Sequence, residues 1–463
     1  MKFGHRVQGT IQGYDEKGRG LLKTDGSKIV IPFTADGDVV DATFVKRDRG
    51  FKLARLETVT TAGADRVTTP CPHAGTCGGC LWQHLAYDAQ LTLKRDFINR
   101  AFEQAGHDER VVTVEPAKEQ FYYRNRMDYA IGWNGEIGLK EYDSWNRYVD
   151  VTTCMLLNED AGKILDVVRQ WMKQFDLQPW DAKFYTGDIR YVVIREGKHT
   201  QQRVITVVIK DFARLTAEMK TSLVESFMNA ETKLKPTSIL IGEQALQTDL
   251  SLAQNFEPLL GEAYFEELAN DVRFRIHPNS FFQTNTKMAE ELQKKVAAHI
   301  SSSVAETTDE APGRTPHAPT KILDLYCGLG FFGIYLAKTL GLHVHGHEID
   351  AEAIKLATFN ATQNGVENLC SFTSGPAEDL SWKDLEADLI ILDPPRAGLH
   401  PKVVKTLLEK KPKTIVYVSC NYKRLVEELK EFKTLYRVEE ISAFDLFPQT
   451  AHVEVVAKLV RIA

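Results

Sequence analysis

The sequence predicts a multidomain chain that joins α+β and α/β architecture. It reads as a small N-terminal β-barrel, a mixed α+β central domain with a cysteine-rich loop, and a C-terminal α/β domain with a mostly parallel sheet. Three observations carry this. Short strands broken by glycine turns fill residues 1–60, three cysteines crowd into residues 71–80, and strands alternate with helices beyond Lys321. The expected boundaries are 1–60, 61–270 and 271–463. At 463 residues, with 43% hydrophobic and 26% charged residues, the chain has the composition of a globular protein with room for several cores. No apolar run follows Met1 and no segment is long and apolar enough to span a bilayer, so the expectation is a cytoplasmic protein with no membrane partner.

In the first 60 residues the strand candidates are Val7–Ile11, Gly20–Leu22, Lys28–Pro32 and Asp38–Val45. Such regular spacing favours a closed barrel of the oligonucleotide-binding type. The net charge of −6 argues against a generally sticky nucleic-acid binder. Locally, however, Lys46, Arg47, Arg49, Lys52 and Arg55 form a basic cluster. A solvated barrel edge and a patch for an RNA backbone both fit it.

Of the seven cysteines, Cys71, Cys77 and Cys80 stand in a glycine-rich loop. The odd total and tight grouping indicate metal or catalytic use in a reducing compartment. Cys154 is the only other cysteine before residue 327 and hence a candidate fourth ligand. An iron–sulfur cluster and a zinc ion, the latter with His73 or His84 as fourth ligand, both suit the set. The spacing is not that of radical enzymes cleaving S-adenosylmethionine.

Next comes a basic amphipathic helix, Gln90–Gln104, and then Phe121–Met127, where aromatic and basic residues interleave. Strand packing accounts for half of that second stretch; stacking on single-stranded RNA fits the rest. Residues 127–255 read as strands with one or two helices. Met288–Ile300 reads as a helix, and Ser301–Thr320 as a flexible connection.

The chemistry concentrates in the C-terminal third. Ile322–Leu325 is an apolar strand entering Tyr326-Cys327-Gly328-Leu329-Gly330, and the next strand ends in Glu348, where an acid can hold ribose hydroxyls. The full three-glycine fingerprint is missing and Asp324 precedes the turn, which favours S-adenosylmethionine over NAD. Leu389–Leu392 runs into Asp393-Pro394-Pro395-Arg396, whose prolines fix an acid at a strand end. Thr414–Val418 runs into Ser419-Cys420-Asn421. Cys420 fits either a small buried side chain or a nucleophile facing the ligand crevice.

Together with Phe281-Phe282-Gln283-Thr284-Asn285 and Phe447-Pro448-Gln449-Thr450-Ala451-His452-Val453-Glu454, these motifs resemble the RNA 5-methyluridine methyltransferases. The barrel resembles a TRAM domain, so with the cysteine loop the chain is most similar to the iron–sulfur branch acting on 23S ribosomal RNA. The resemblance implies a Rossmann-like methyltransferase domain, with Cys420 as nucleophile and Glu454 as base. It implies that Gln283, Tyr326, Glu348 and Asp393 line the S-adenosylmethionine and uracil site. It also implies that Cys71, Cys77, Cys80 and Cys154 bind a [4Fe-4S] cluster. Phe281 is a candidate to stack on the target base, with core packing the other reading. The sequence departs from the family pattern at Phe331, at Gly375-Pro376 and at Tyr422, which stands where a proline is usual. The expected activity is methyl transfer to C5 of a uridine in 23S rRNA by a monomeric enzyme. The same chemistry on the tRNA T-loop is the alternative; the rivals are an amino-group methyltransferase and a non-catalytic RNA-binding or ribosome-assembly protein.

Overall fold

The computed structural model describes residues 3–24, 27–48, 50–308 and 321–462. Five strands, β1 (Arg6–Tyr14), β2 (Gly20–Thr24), β3 (Ser27–Ile31), β4 (Val39–Asp48) and β5 (Phe51–Thr61), close a barrel in the order β1-β2-β3-β5-β4. Alternating apolar residues such as Ile11, Leu22, Ile29, Ile31 and Val40 fill it. Register shifts along the β4–β5 pair bend these long strands enough to close so small a circle. The basic cluster at its end is partly neutralised: Lys46 pairs with Asp143, and Arg55 with Glu57. Arg49 lies outside the described residues.

After the barrel come α1 (Tyr87–Gln104) and β6 (Val114–Glu115). The central sheet then takes β7 (Arg126–Ile131), β8 (Ile137–Lys140), β9 (Tyr148–Asp150), β10 (Ile189–Glu196), β11 (Arg203–Ile209), β12 (Ser238–Glu243) and β13 (Asn255–Leu260). Its order is β13-β12-β11-β10-β7-β8-β9. Helices α2 (Ala161–Gln174) and α3 (Ala217–Met228) cover one face, burying Ile164, Leu165, Val168 and Trp171 against Val192, Ile194, Ile205 and Val207. A hairpin, β14 (Phe265–Ala269) with β15 (Val272–Ile276), leads to α4 (Thr286–Thr308).

Helix α4 continues through the stretch expected to be a flexible connection. Ser302 and Ser303 donate their hydroxyls to the His299 carbonyl, and Val304 packs on the core. Back-bonding of this kind satisfies serine inside a helix, and the apolar contact holds the extra turns. Residues 309–320 lie outside the described residues.

The C-terminal domain alternates β16 (Lys321–Leu325), α5 (Phe331–Leu340), β17 (His343–Glu348), α6 (Ala351–Gln363), β18 (Cys370–Ser374), β19 (Leu389–Leu392), α7 (Pro401–Lys410), β20 (Thr414–Ser419) and α8 (Tyr422–Phe432). It ends with β21 (Tyr436–Phe444) and β22 (Glu454–Arg461). The sheet order is β18-β17-β16-β19-β20-β22-β21-β6, with β22 antiparallel to both neighbours. The order reverses between β16 and β19. Ligands of doubly wound sheets bind at that switch point, beyond the strands' C-terminal ends.

Helix α1 and strand β6 join the C-terminal core rather than the central sheet. Phe97, Ile98 and Phe102 pack with Leu425, Leu429 and Tyr436, and β6 extends the sheet beside β21. The basic face read from the α1 sequence is partly interior. Lys94 is fully buried, ion-paired with the equally buried Asp445, and donates to the Phe447 carbonyl at 3.1 Å. Tyr87 donates to the other Asp445 oxygen at 2.9 Å. Removing one partner of such a pair strands a charge without water. We expect Lys94→Ala to lose about 3–5 kcal/mol in denaturant unfolding. Arg95→Ala, one residue on and half-exposed, should change stability by less than about 0.5 kcal/mol.

Candidate active site

Sheet register sets the site. Leu325 pairs with His347 on one side and Leu392 on the other, so Tyr326, Glu348 and Asp393 stand one step beyond the last paired row of three adjacent strands. In the antiparallel β20–β22 pair, Ser419 faces Val455, which brings Cys420 opposite Glu454. Gln283, from the loop before α4, reaches over and donates to Asp393 Oδ2 at 3.4 Å.

The turn after β16 is shaped for close approach. Gly330 caps α5 at φ +79°, and a Cβ there would sit 2.7 Å from Ile334. Tyr326 also takes a left-handed backbone, φ 67°, with its N–H bonded to the His347 carbonyl at 2.8 Å. Glu348 accepts from the Gly328 N–H at 3.1 Å, so this acid and the glycine turn form one rim.

Four carboxyls converge here. Asp324 is fully buried and accepts from the Gly333 N–H at 3.1 Å. Burial, with Asp393 beside it, pushes its pKa up to about 8. Burial and Glu348 push Asp393 up to about 7, against the Gln283 hydrogen bond. Burial and Asp393 push Glu454 well above the usual carboxylate range, opposed by Arg396. Arg396 offsets this crowding at Glu454, and a bound cation would lower the raised acids further.

Around Cys420 the field is mixed. Burial and the neighbouring Glu454 raise its pKa to about 11, while Arg396, which hydrogen-bonds to it, pulls the other way. Arg396 Nη2 also lies 2.8 Å from His452 Nδ1, so this ring nitrogen accepts. Asn421 caps α8 and donates from its Nδ2 to the Arg396 carbonyl at 2.9 Å, tying the thiol loop to the Asp-Pro-Pro turn. Arg396, Asp324 and His452 were absent from the expected site residues, although each stands inside or next to a quoted motif. Arg396 directly follows the two prolines, and that position was the available signal.

The loop leading to Glu454 is braced from afar. Gln90 donates to Gln449 Oε1 at 3.0 Å and accepts from the Gln449 N–H at 2.9 Å. Tyr123 holds the Pro448 carbonyl at 3.1 Å, and Asn285 the Leu446 carbonyl at 3.1 Å. Gln449 itself sits at φ 68°. Phe281 is 69% exposed, which removes the core-packing reading; its neighbour Phe282 fills the core instead, against Phe274 and Phe331.

The other cysteines gather elsewhere. Cys71, Cys77, Cys80 and Cys154 line one small cavity with His73, Gln83 and Leu156. Burial raises Cys77 to about 11 and Cys80 to about 12, with Cys154 adding to both. Among the described residues, no three His, Cys, Asp or Glu side chains are gathered as a single metal ion needs. His73 Nε2 accepts from the Thr152 N–H at 3.1 Å. His84 is buried beside Arg66 and Thr34, and its pKa falls to about 4 through burial. Arg124, one of the interleaved basic residues, is directed inward to Tyr123 and Cys80.

Comparison with known proteins fits this geometry. A family model described as tRNA (Uracil-5-)-methyltransferase matches residues 261–462. The tRNA (uracil(54)-C(5))-methyltransferase of Pyrococcus abyssi is 34% identical over 98% of this chain and 100% of its own length. The enzyme of the same name from Pyrococcus horikoshii is 33% identical over 98% and 100%. An uncharacterized RNA methyltransferase from Halalkalibacterium halodurans is 31% identical over 98% and 96%. The crystal structure of the P. abyssi enzyme in complex with S-adenosyl-L-homocysteine superposes with a TM-score of 0.78 at 33% identity, covering 98% of this chain and 100% of that one. With the acids, thiol and glycine turn all at the switch point of its sheet, the chain belongs to the tRNA (uracil-5-)-methyltransferase family and is an S-adenosylmethionine-dependent RNA uracil-C5 methyltransferase.

Proposed function

We propose that this enzyme methylates the T-loop uridine of tRNA, position 54, through a covalent cysteine adduct. The leaning towards 23S rRNA rested on the barrel and the cysteine loop. The Pyrococcus relatives, named for uracil 54 of tRNA, align over 98% of the chain and so over both of those parts. The parts no longer argue for the ribosome, and the expectation moves to tRNA. The observation that carries the chemistry is Cys420 opposite Glu454, with Arg396 on the thiol and Asp393 beside the acid.

Uracil C5 is too weak a nucleophile to take a methyl group unaided. The Cys420 thiolate attacks C6, a C–S bond forms, and the C5=C6 electrons move onto O4 as an enolate. C5 then attacks the sulfonium methyl; that S–CH3 bond breaks and neutral S-adenosylhomocysteine is left. The Glu454 carboxylate takes the C5 proton, the C5=C6 bond re-forms, and the thiolate is expelled. A buried thiol near pKa 11 is a poor nucleophile, so Arg396 and the arriving sulfonium charge must favour its anion. Arg396, which also acts on Glu454, stays in place after the sulfonium charge is spent and favours the carboxylate that takes the C5 proton. Glu348 takes the ribose hydroxyls, Tyr326 and Asp393 border the cofactor, and Gln283 spans from Asp393 to the uracil. Exposed Phe281 stacks on the base once it is flipped out of the loop. We take the enzyme to work as a cytoplasmic monomer.

Cys71, Cys77, Cys80 and Cys154 fit a [4Fe-4S] cluster better than zinc. Four thiols line one cavity, His84 is not among its lining residues, and His73 Nε2 accepts from the Thr152 N–H. A cluster there would supply a crosslink between the cysteine loop and the central domain; methyl transfer uses none of its electrons.

In vitro methylation of tRNA transcripts should place 5-methyluridine at position 54 and none in a transcript with cytidine there. Methylation of 23S rRNA fragments with tRNA left untouched would overturn the substrate assignment. Cys420→Ala should lose at least about a thousandfold in rate and form no adduct with 5-fluorouridine tRNA. Anaerobically purified protein should carry about four iron atoms per chain, and Cys154→Ser should lose most of them. A zinc content of one per chain without iron would reverse that assignment.

A further inference from the structure

Trp82 touches neither thiol nor acid, yet it joins three parts of the molecule. It is fully buried, and its indole N–H donates to the Gly18 carbonyl in the β1–β2 turn of the barrel at 2.6 Å. Its backbone N–H donates to the Gln449 carbonyl at 2.9 Å, in the loop that leads to Glu454. Lys94 lies 5.9 Å above its ring, and Cys80 is two residues away in the chain. The barrel turn is fitted closely to it: Gly18 has φ +75°, and a Cβ there would fall 2.4 Å from the Trp82 ring.

The same turn is stiff and has a second anchor. Asp15 Oδ1 accepts from the Lys17 and Arg19 N–H groups at 3.0 and 2.8 Å, and Asp15 ion-pairs with the buried Arg19. Glu16 pairs with Lys423 at 2.8 Å, three residues after Cys420. Tyr422, where the family pattern carries proline, is buried beneath Lys423 and faces Glu16. The barrel therefore touches the segment after the nucleophile directly and reaches the segment before the base through Trp82.

We propose that Trp82 is a positioning residue through which the N-terminal barrel holds the Gln449 loop and so fixes Glu454 for removal of the C5 proton. The barrel in this view is a fixed wall of the active site as well as an RNA-binding module. The inference rests on the covalent mechanism above and assigns its last step a support outside the catalytic domain. Misplacing a proton acceptor leaves earlier steps intact, so a loosened Glu454 leaves the methylated enzyme–RNA adduct waiting to be resolved.

Two variants test this with natural tRNA as substrate. Trp82→Phe keeps an aromatic ring in the core but removes the indole donor and part of the side-chain volume. Gly18→Ala drives a methyl group into that ring. Each should lower kcat by about tenfold while the KM for tRNA and the affinity for S-adenosylmethionine change less than about twofold. Each should also accumulate a methylated covalent adduct on natural tRNA, visible by denaturing gel and mass spectrometry. If Gly18→Ala fails to fold, Trp82→Phe alone decides. An unchanged kcat with a raised KM, or a lower kcat with no adduct accumulating, overturns the proposal. Failure of the unaltered enzyme to trap 5-fluorouridine tRNA would instead sink the covalent mechanism itself.

Discussion

Carboxyl groups crowded along three adjacent parallel strands are the constraint on which the rest depends. Asp324, Glu348 and Asp393 follow from the strand register, and Glu454 arrives from the antiparallel neighbour of β20. Burial and mutual repulsion hold protons on three of them: Asp324 rises to about 8, Asp393 to about 7, and Glu454 well above the usual carboxylate range. A cofactor that carries a sulfonium and an ammonium relieves that crowding. In the proposed mechanism the methyl donor's positive charge is both the reactive feature and a counter-ion for these acids. In the proposed mechanism this orders events, because burial disfavours the Cys420 thiolate until the donor is in place.

The second theme is how far the bracing of the site extends. The loop between β21 and β22 contributes His452 and leads to Glu454, yet its carbonyls are held by Trp82, Lys94, Tyr123 and Asn285 from remote segments. Helix α1 therefore gives its buried polar face to the catalytic domain. Hydrogen bonds of this kind contribute only about 1 kcal/mol each, but several of them on one short loop leave it little freedom. A base that must meet a C5 proton in one geometry depends on that rigidity.

Much of this was legible in the sequence, for physical reasons. Apolar runs rich in branched residues before Asp393 and before Ser419-Cys420 marked strand ends, and strand ends in such sheets are where ligands bind. The barrel was readable from glycine-separated short strands. What stayed hidden depended on three-dimensional pairing. Lys94 looked like part of the basic face of an amphipathic helix, since periodicity does not reveal that a second buried surface, the Gln449 loop, lies opposite. The polar run from Ser301 resembled a linker because the back-bonding of Ser302 and Ser303 into α4 leaves no compositional trace. Phe281 and Phe282 are identical in kind, and only the fold decides that the first faces solvent and the second the core.

The most direct measurement of the central claim is proton release when the methyl donor binds. Isothermal titration at pH 7 in buffers of different ionisation enthalpy gives the number of protons exchanged. Because cation binding lowers the raised carboxyls, S-adenosylmethionine should release about one proton per site, and S-adenosylhomocysteine, without the sulfonium charge, clearly less. Zero release, proton uptake, or equal release by both ligands would contradict an active site organised around a missing positive charge.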